Sequence, residues 1–240
     1  MLRKILTFSL LLGFAGAYFL NASETVFEKM DFPAQKYFTG EKFTYKISYL
    51  GVPVGEAVSK IKEKIQFKGR AAYHIEVKVR SYRWVDFVYK VRDEHHSYVD
   101  VQTLSSLAYS CKIREGFNKH EENSETPEGM QDPLSCGYFF RTLTVKENSS
   151  VFIPVYAEGK NWNVEVKTYG IKPEVIEKNG NFQVLETVPL MPFQGIFFRK
   201  GKIHGSISLD KRRIPLRMTV KIPVLGRVSS ELMEYIPGKE

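Results

Sequence analysis

Cysteine is scarce in this sequence, and its two copies form no recognisable motif. Cys111 and Cys136 are the only cysteines in 240 residues, and they are not spaced as a CxxC redox motif. Two cysteines also cannot close a four-ligand structural zinc site unaided. They can form a disulfide that closes a loop of about 25 residues, or they can remain as two buried free thiols. The sequence gives no distance between them and leaves both alternatives open.

Long hydrophobic runs are also missing. The apolar run Ile5–Phe14 is shorter than the roughly 20 residues that a membrane-spanning helix needs. It follows the basic residues Arg3 and Lys4 and precedes Ala15-Gly16-Ala17, which is the layout of a signal peptide with its cleavage site. We therefore expect residues 1–17 to be a cleaved signal peptide and the protein to be exported to the periplasm. No cysteine follows the run to support lipoprotein processing.

The motifs of common catalytic and metal sites are absent. There is no GxSxG nucleophile elbow, no HExxH helix and no glycine-rich phosphate loop before a helix. His95 and His96 are adjacent, so in a strand they point to opposite faces and cannot readily share a metal. His74, His120 and His204 lie apart without ligand spacing around them. We expect no cofactor and no metal.

The densest cluster of ionisable residues is Asp93–His96. Asp93 and His95 would share one face of a strand, so they could form an acid–base pair with a cross-strand partner. A lone Asp-x-His is a weak signal. An envelope enzyme is therefore the weakest of the functional hypotheses, and a charged strand start or turn is the better interpretation.

The chain is basic, with a formal net charge of +8 that falls to +6 once residues 1–17 are removed. This charge is compatible with binding to anionic lipid head groups or acidic polysaccharide. However, Lys and Arg alternate with Glu along most predicted strands, which is typical of a solvated face. No basic helix or RNP-like aromatic pair is present, so we expect no nucleic-acid partner.

Apolar and polar residues alternate in segment after segment, as in Tyr73–Arg80, Phe43–Tyr49 and Trp162–Lys167. This period is typical of antiparallel strands with one solvated face. Turn sequences such as Lys68-Gly69-Arg70 separate roughly ten to twelve strands. The sequence predicts a mostly β fold, a large antiparallel curled sheet that forms a barrel or half-barrel, lipocalin-like or lipoprotein-carrier-like. We assign residues 18–37 to an N-terminal linker and 38–236 to a single β domain.

One segment has helical spacing. Asp132-Pro133 resembles an N-cap and a first-turn proline, and Cys136, Phe139, Phe140 and Leu143 then form an apolar stripe. We predict a short helix over Pro133–Leu143 that packs on or caps the sheet. The polar stretch Glu121–Gln131 before it, with Pro127 and Gly129, is predicted to be a mobile loop.

Several segments resemble the bacterial exported family catalogued as domain of unknown function 3108. They are Phe38–Tyr49 with Gly51 and Gly55-Glu56-Ala57, Asp93–Asp100, Gln131–Ser135 with Tyr138 and Arg141, Leu209–Pro215 and Gly226-Arg227-Val228. The resemblance covers roughly Phe38–Tyr235. It implies a periplasmic location and a β-rich barrel-like domain, and it assigns no chemistry. Cys136 departs from the family pattern, so the resemblance implies no disulfide.

The first functional hypothesis is a non-catalytic binding or carrier protein for a lipid or other amphipathic molecule of the cell envelope. A large curled sheet with inward aromatic residues can leave a cavity. The predicted lining residues are Tyr45, Tyr49, Tyr73, Trp84, Phe87, Phe139 and Phe140.

The apolar loop around Pro189 and Pro192 is a candidate lid, contact loop or membrane-touching loop. Its apolar residues are Leu190, Met191, Phe193, Ile196, Phe197 and Phe198. It could equally cover the core like any buried connection. The alternative function is an envelope assembly or scaffold protein that binds another protein through a sheet edge or this loop. Contact with a membrane would be peripheral at most.

Overall fold

The computed structural model describes residues 37–176, 179–193, 202–222 and 226–239. The predicted signal peptide and nearly all of the predicted linker lie outside the described residues, as do Ile196, Phe197 and Phe198 of the apolar loop. Among the described residues, no helix has the length and apolar character needed to cross a bilayer.

The described chain forms one twelve-stranded antiparallel sheet, which confirms the predicted fold class. The strands are β1 (Lys42–Tyr49), β2 (Val52–Phe67), β3 (Arg70–Ser81), β4 (Arg92–Asp100), β5 (Ser106–Glu115), β6 (Asn118–Glu125), β7 (Ser150–Ala157), β8 (Lys160–Ile176), β9 (Gly180–Leu190), β10 (Lys202–Ser208), β11 (Pro215–Ile222) and β12 (Gly226–Ile236). Their order in the sheet is β6-β5-β4-β3-β2-β1-β12-β11-β10-β9-β8-β7.

Alternating side chains explain why the sheet curls around a core. Along β7, Val151, Ile153, Val155 and Ala157 are buried while the residues between them are half-buried or exposed. One face of this strand therefore faces the interior and the other faces solvent. The buried side chains form two clusters, one around Phe43, Ile75 and Leu216 and the other around the inner face of β7 and β8.

The predicted helix is present but shorter than expected. Helix α2 spans Ser135–Phe140, whereas the prediction covered Pro133–Leu143. The Asp132 carboxylate accepts the backbone N–H groups of Leu134 and Ser135, as the predicted cap would do. A four-residue helix, α1 (Arg83–Asp86), lies between β3 and β4 and was not predicted, because so short a segment has no periodicity.

The stretch Glu121–Gln131 is not a loop throughout, because its first part belongs to strand β6. This strand pairs with β5 through its backbone, from Ala108↔Glu125 to Glu115↔Asn118. None of its residues is buried, so it shows no apolar alternation. The prediction of a loop was wrong for this part, because alternation of apolar and polar residues identifies only those strands that bury one face.

Pairing does not close the sheet, but the connection after β6 links its two sides. The backbone N–H of Ser106, at the start of β5, donates to the carbonyl of Met130 at 2.9 Å. The next residue, Gln131, donates to Pro154 and accepts from Tyr156, at 2.8 Å in each case. Pro154 and Tyr156 belong to β7, the outer strand at the opposite edge of the sheet from β6. The linkage leads the chain into the curled interior, where α2 begins.

Candidate functional site

Helix α2 enters the curled sheet at Asp132, which is completely buried. Besides capping the helix, its carboxylate accepts a hydrogen bond from the Ser97 hydroxyl of β4 at 2.5 Å. Burial raises the pKa of Asp132, and the hydrogen bonds it accepts oppose that effect. A polar contact deep in the core therefore fixes the start of α2 to the wall of the sheet.

The far end of α2 is fixed by an ion pair between Arg141 and Glu41, both buried. The guanidinium donates to both carboxylate oxygens, at 2.8 and 2.7 Å, and also to the carbonyls of Arg212 and Arg213. Burial alone lowers the pKa of Arg141, but the Glu41 carboxylate raises it and keeps the charged form. The pair ties α2 to the start of β1 and to the β10–β11 connection.

Tyr138 supplies a third anchor from the middle of α2. Its hydroxyl lies 2.7 Å from the Ser59 hydroxyl of β2, and the Arg141 guanidinium lies 5.6 Å from the centre of its ring. Phe43 of β1 packs edge-on against the same ring, with 6.4 Å between ring centres. Together the three anchors hold α2 across the inner face of β1, β2 and β4.

A cavity of about 260 Å³ remains between α2 and the inner face of the sheet. Most of its lining is apolar. It is lined by Phe43, Tyr45, Ser59, Val77, Pro133, Leu134, Cys136, Gly137, Tyr138, Phe140, Arg141, Ile153, Val164, Val166, Thr187, Pro189, Met191, Ile203, Gly205, Ser206, Ile207, Pro215, Arg217, Met218 and Ser230. The Ser206 hydroxyl is buried and has no hydrogen-bond partner among the described residues.

Only part of the predicted lining lies at this cavity. Tyr45 and Phe140 line it. Tyr73 is completely buried in the core, and Phe139 packs beside the β7–β8 cluster, but neither borders the cavity.

The other three predicted lining residues do not line the cavity. Tyr49, Trp84 and Phe87 lie at the end of β1 and in the β3–β4 connection, where their side chains are exposed, so assigning them to the lining was wrong. An aromatic residue can turn outward at the end of a strand, and the sequence does not mark where a strand leaves the core.

The described part of the apolar loop makes three different contacts. Met191 lines the cavity, and Leu190 is exposed. Phe193 is buried against the Trp162 ring, with 6.1 Å between ring centres, so it serves the core and not a lid.

Cys111 and Cys136 are free thiols in the structure, so the two residues are not joined by a disulfide. Burial raises the pKa of both thiols, that of Cys136 to about 12. Both therefore remain protonated at neutral pH.

The Asp93–His96 cluster is divided between the two faces of β4. His95 is buried, and its Nδ1 lies 2.7 Å from the Tyr109 hydroxyl. Burial lowers its pKa to about 4, and burial raises the pKa of Asp93 to about 6. Asp93 accepts the backbone N–H of Arg114, and the neighbouring Glu115 carboxyl group also raises its pKa. Neither residue lines the cavity.

On the sheet, histidines meet other potential metal ligands from neighbouring strands. On the outer face, His74 Nε2 lies 3.0 Å from His96 Nδ1. On the β5–β6 hairpin, the donor atoms of Cys111, His120 and Glu122 lie within 4.8 Å of one another. Cross-strand register brings these side chains together, which the search for local ligand spacing could not detect.

Comparison with known proteins places the chain in a family without assigning chemistry. No curated protein matches the sequence significantly. A hypothetical protein from Chlamydia trachomatis has 10% identity and a TM-score of 0.38, with 84% of this chain and 89% of that chain covered. A β-barrel-like protein of domain of unknown function DUF1849 from Brucella abortus has 7% identity and a TM-score of 0.44, with 83% and 98% covered.

A third solved structure, a protein with a YmcC-like fold from Bacteroides fragilis, has 9% identity and a TM-score of 0.37, with 84% of this chain and 100% of that chain covered. Scores this low carry no functional information. The family model described as "Protein of unknown function (DUF3108)" matches residues 44–126 and 116–233, and the chain therefore belongs to that family.

Proposed function

We propose that this protein is a non-catalytic binding or carrier protein of the bacterial envelope that holds an amphipathic ligand with one alkyl chain between α2 and the sheet. The observation that carries the proposal is the apolar cavity of about 260 Å³ beside α2. Ligand sites are typically concave and mostly apolar, with a few polar groups that fix orientation.

The volume limits the size of the ligand. At about 30 Å³ for a group the size of water, the cavity accommodates about nine such groups. That is one medium-length alkyl chain and not a lipid with several long chains. Burying such a chain is favourable because each methylene contributes about 0.8 kcal/mol.

Polar side chains in the cavity lining could bind the polar head group of an amphipathic ligand. The Ser206 hydroxyl has an unused hydrogen-bonding capacity, and Ser230, Thr187 and Arg217 also reach the cavity. An unpaired buried hydroxyl costs free energy that a ligand oxygen would recover. A carboxylate or another oxygen-bearing head group is therefore the chemistry that suits this lining.

A carrier in the envelope requires export, which the predicted signal peptide at residues 1–17 would direct. A scaffold role through a sheet edge has less support. The outer strand β6 carries charged residues such as Lys119 and Glu121, and Gln131 already pairs with part of β7. Charged or covered edges resist strand addition.

Calorimetric titration with decanoic acid tests the proposal. The wild-type protein should bind decanoic acid, and Ser230→Leu should weaken the affinity at least about tenfold, because a leucine there fills part of the cavity. Ser229→Leu is the matched control, since the neighbouring residue on β12 points to the opposite face.

Thermal unfolding of both variants would show that each still folds. Native mass spectrometry of protein purified from the envelope should in addition show a bound amphiphile. The proposal fails if decanoic acid does not bind, or if Ser230→Leu and Ser229→Leu bind it equally well.

A further inference from the structure

Large apolar side chains are exposed at one end of the sheet, on three connections that follow each other across neighbouring strands. Phe87 is 93% exposed and Val88 is 89% exposed, and Phe117 is completely exposed. With these residues we group Leu50, Val52 and Trp84, all more than half exposed, as the apolar rim. Single exposed apolar residues are common, but clustered ones mark interaction sites.

Topology places these residues together. Strands β1 to β6 run alternately up and down, so the β1–β2, β3–β4 and β5–β6 connections lie at the same end. The Tyr82 N–H donates to the Val54 carbonyl at 2.9 Å, and the Gly116 N–H donates to the Lys90 carbonyl at 2.8 Å. Backbone hydrogen bonds therefore join the β3–β4 connection to the start of β2 and to the β5–β6 connection.

The tip that carries Phe87 and Val88 is rigidly supported. Asp86, at the end of α1, accepts hydrogen bonds from Ser81 and from both terminal nitrogens of Arg92. The hydrogen bond from Arg92 is the main reason that the pKa of Asp86 is lowered, so the carboxylate stays charged. The ion pair holds the turn in place and leaves its apolar side chains pointing outward.

The charge around the apolar rim is predominantly basic. Arg80, Arg83, Lys90 and Lys119 are exposed close to it. Arg92 already balances Asp86, and the exposed Glu56 lies opposite Arg80 on strand β2, so the excess positive charge comes from Arg83, Lys90 and Lys119. Anionic head groups are the complementary partner, and near a membrane each basic residue contributes about fivefold in affinity.

The shape of the rim favours a fluid partner. Its most exposed apolar side chains, those of Phe87, Val88 and Phe117, project from two separate connections between strands. Projecting tips can enter a lipid surface without a matching shape, whereas a protein partner would need one pocket for each tip. Trp84 and Tyr89 are residues of the kind that collect at membrane interfaces.

We propose that the apolar rim is a membrane-docking surface, which inserts Phe87, Val88 and Phe117 between the head groups of a bilayer that contains anionic lipids. Docking needs no ligand in the cavity, so this role goes beyond the proposed function and can fail independently of it.

Fluorescence of Trp84 reports the docking directly. The chain has two tryptophans, and Trp162 is packed against Phe193, so Trp162→Phe leaves Trp84 as the single probe. Vesicles of phosphatidylethanolamine and phosphatidylglycerol should shift its emission to shorter wavelength, and brominated lipids should quench it. Pure phosphatidylcholine vesicles should have a much weaker effect.

Variants identify the residues responsible. Phe87→Ser combined with Phe117→Ser should lower vesicle affinity at least about tenfold, and Arg83→Gln with Lys90→Gln about fivefold for each charge removed. Val175→Ser is the matched control, because Val175 is 68% exposed at the opposite end of the sheet, near the end of β8. All variants must share the same N-terminus, since an unprocessed apolar segment would bind lipid itself.

Decanoic acid binding should be unchanged in the Phe87→Ser/Phe117→Ser variant, which separates this test from that of the cavity. An unchanged Trp84 emission with anionic vesicles overturns the proposal, and so does equal vesicle affinity of this variant and the wild type. Binding that appears only when envelope proteins are added to the vesicles also overturns it and assigns the apolar rim to a protein partner.

Discussion

The Glu41–Arg141 pair joins two segments that are 100 residues apart in the chain, and both side chains are buried. Replacing Arg141 by Met should lower the free energy of unfolding by about 3–5 kcal/mol, because Glu41 would remain as an unpaired buried charge. Chemical denaturation with urea measures this change.

The double variant Glu41→Leu/Arg141→Met should recover most of that loss, since no lone charge is left inside. Lys42→Met is the control, because the pair between Lys42 and Glu234 is partly exposed and contributes at most about 1 kcal/mol. A loss for Arg141→Met no larger than that of Lys42→Met would contradict the burial of the pair.

His95 should make the protein sensitive to mild acid. Its pKa is about 4 in the folded state because burial disfavours the charged ring, whereas an unfolded histidine has a pKa of about 6.5. A depressed histidine pKa contributes stability above pH 6.5, and this contribution is lost as pH falls toward 4. Its full size is about 3 kcal/mol. His95→Gln should therefore lose less stability than the wild type between pH 6.5 and 4, as measured by urea unfolding at each pH.

Asp93 should affect the pH dependence of stability in the opposite direction to His95. Its folded pKa is raised to about 6, so the protonated form is favoured by folding and the folded state gains stability as pH falls from 6 toward 4. Asp93→Asn should accordingly lose more stability than the wild type over that interval. Parallel pH profiles for the wild type and both variants would contradict the two assignments.

Whether an individual side chain is buried or exposed was the least predictable feature from sequence. Tyr45 and Phe140 reach the cavity, but Tyr49 and Phe87 are equally aromatic and face solvent. An aromatic side chain does not reveal whether its strand has already left the core. The Glu41–Arg141 pair was not predicted for a related reason, because the sequence around each residue does not indicate an ion-pair partner 100 positions away.

Helix α2 was predicted, although with longer bounds than observed, because an apolar stripe and an Asp-Pro start leave a local signal. Gly137 lies within the helix, and a Cβ added there would meet no atom within 4 Å. Gly137→Ala should raise the free energy of unfolding by about 0.5–1 kcal/mol, because alanine loses less backbone entropy in a helix.

Thermal or urea unfolding checks this gain, and Gly55→Ala is the informative contrast. A Cβ at Gly55 would lie 2.5 Å from the Arg80 carbonyl oxygen, so β2 and β3 would have to separate locally. That variant should be destabilised. A loss of stability in Gly137→Ala would show that α2 sits closer to the sheet than described.

At the scale of the whole molecule, the sequence predicted a mostly β, curled antiparallel sheet, and the structure confirms it. Twelve strands fall within the range of ten to twelve counted from alternation and turns. The sequence did not predict which contacts cover the two outer strands of the sheet. Gln131 covers part of β7 through a contact between distant segments, while β6 is paired with β5 and with no other of the described strands.

This asymmetry predicts unequal local stability of the two outer strands. Strand β7 buries four side chains and is bridged by Gln131, whereas β6 has no buried residue. Local opening depends on how much apolar contact a segment loses. In hydrogen exchange monitored by mass spectrometry, the β6 amides should therefore exchange first, β7 should be slower, and the inner strand β3, paired on both sides and largely buried, should be slowest. Exchange of β6 as slow as that of β7 would mean that another contact protects the β6 edge.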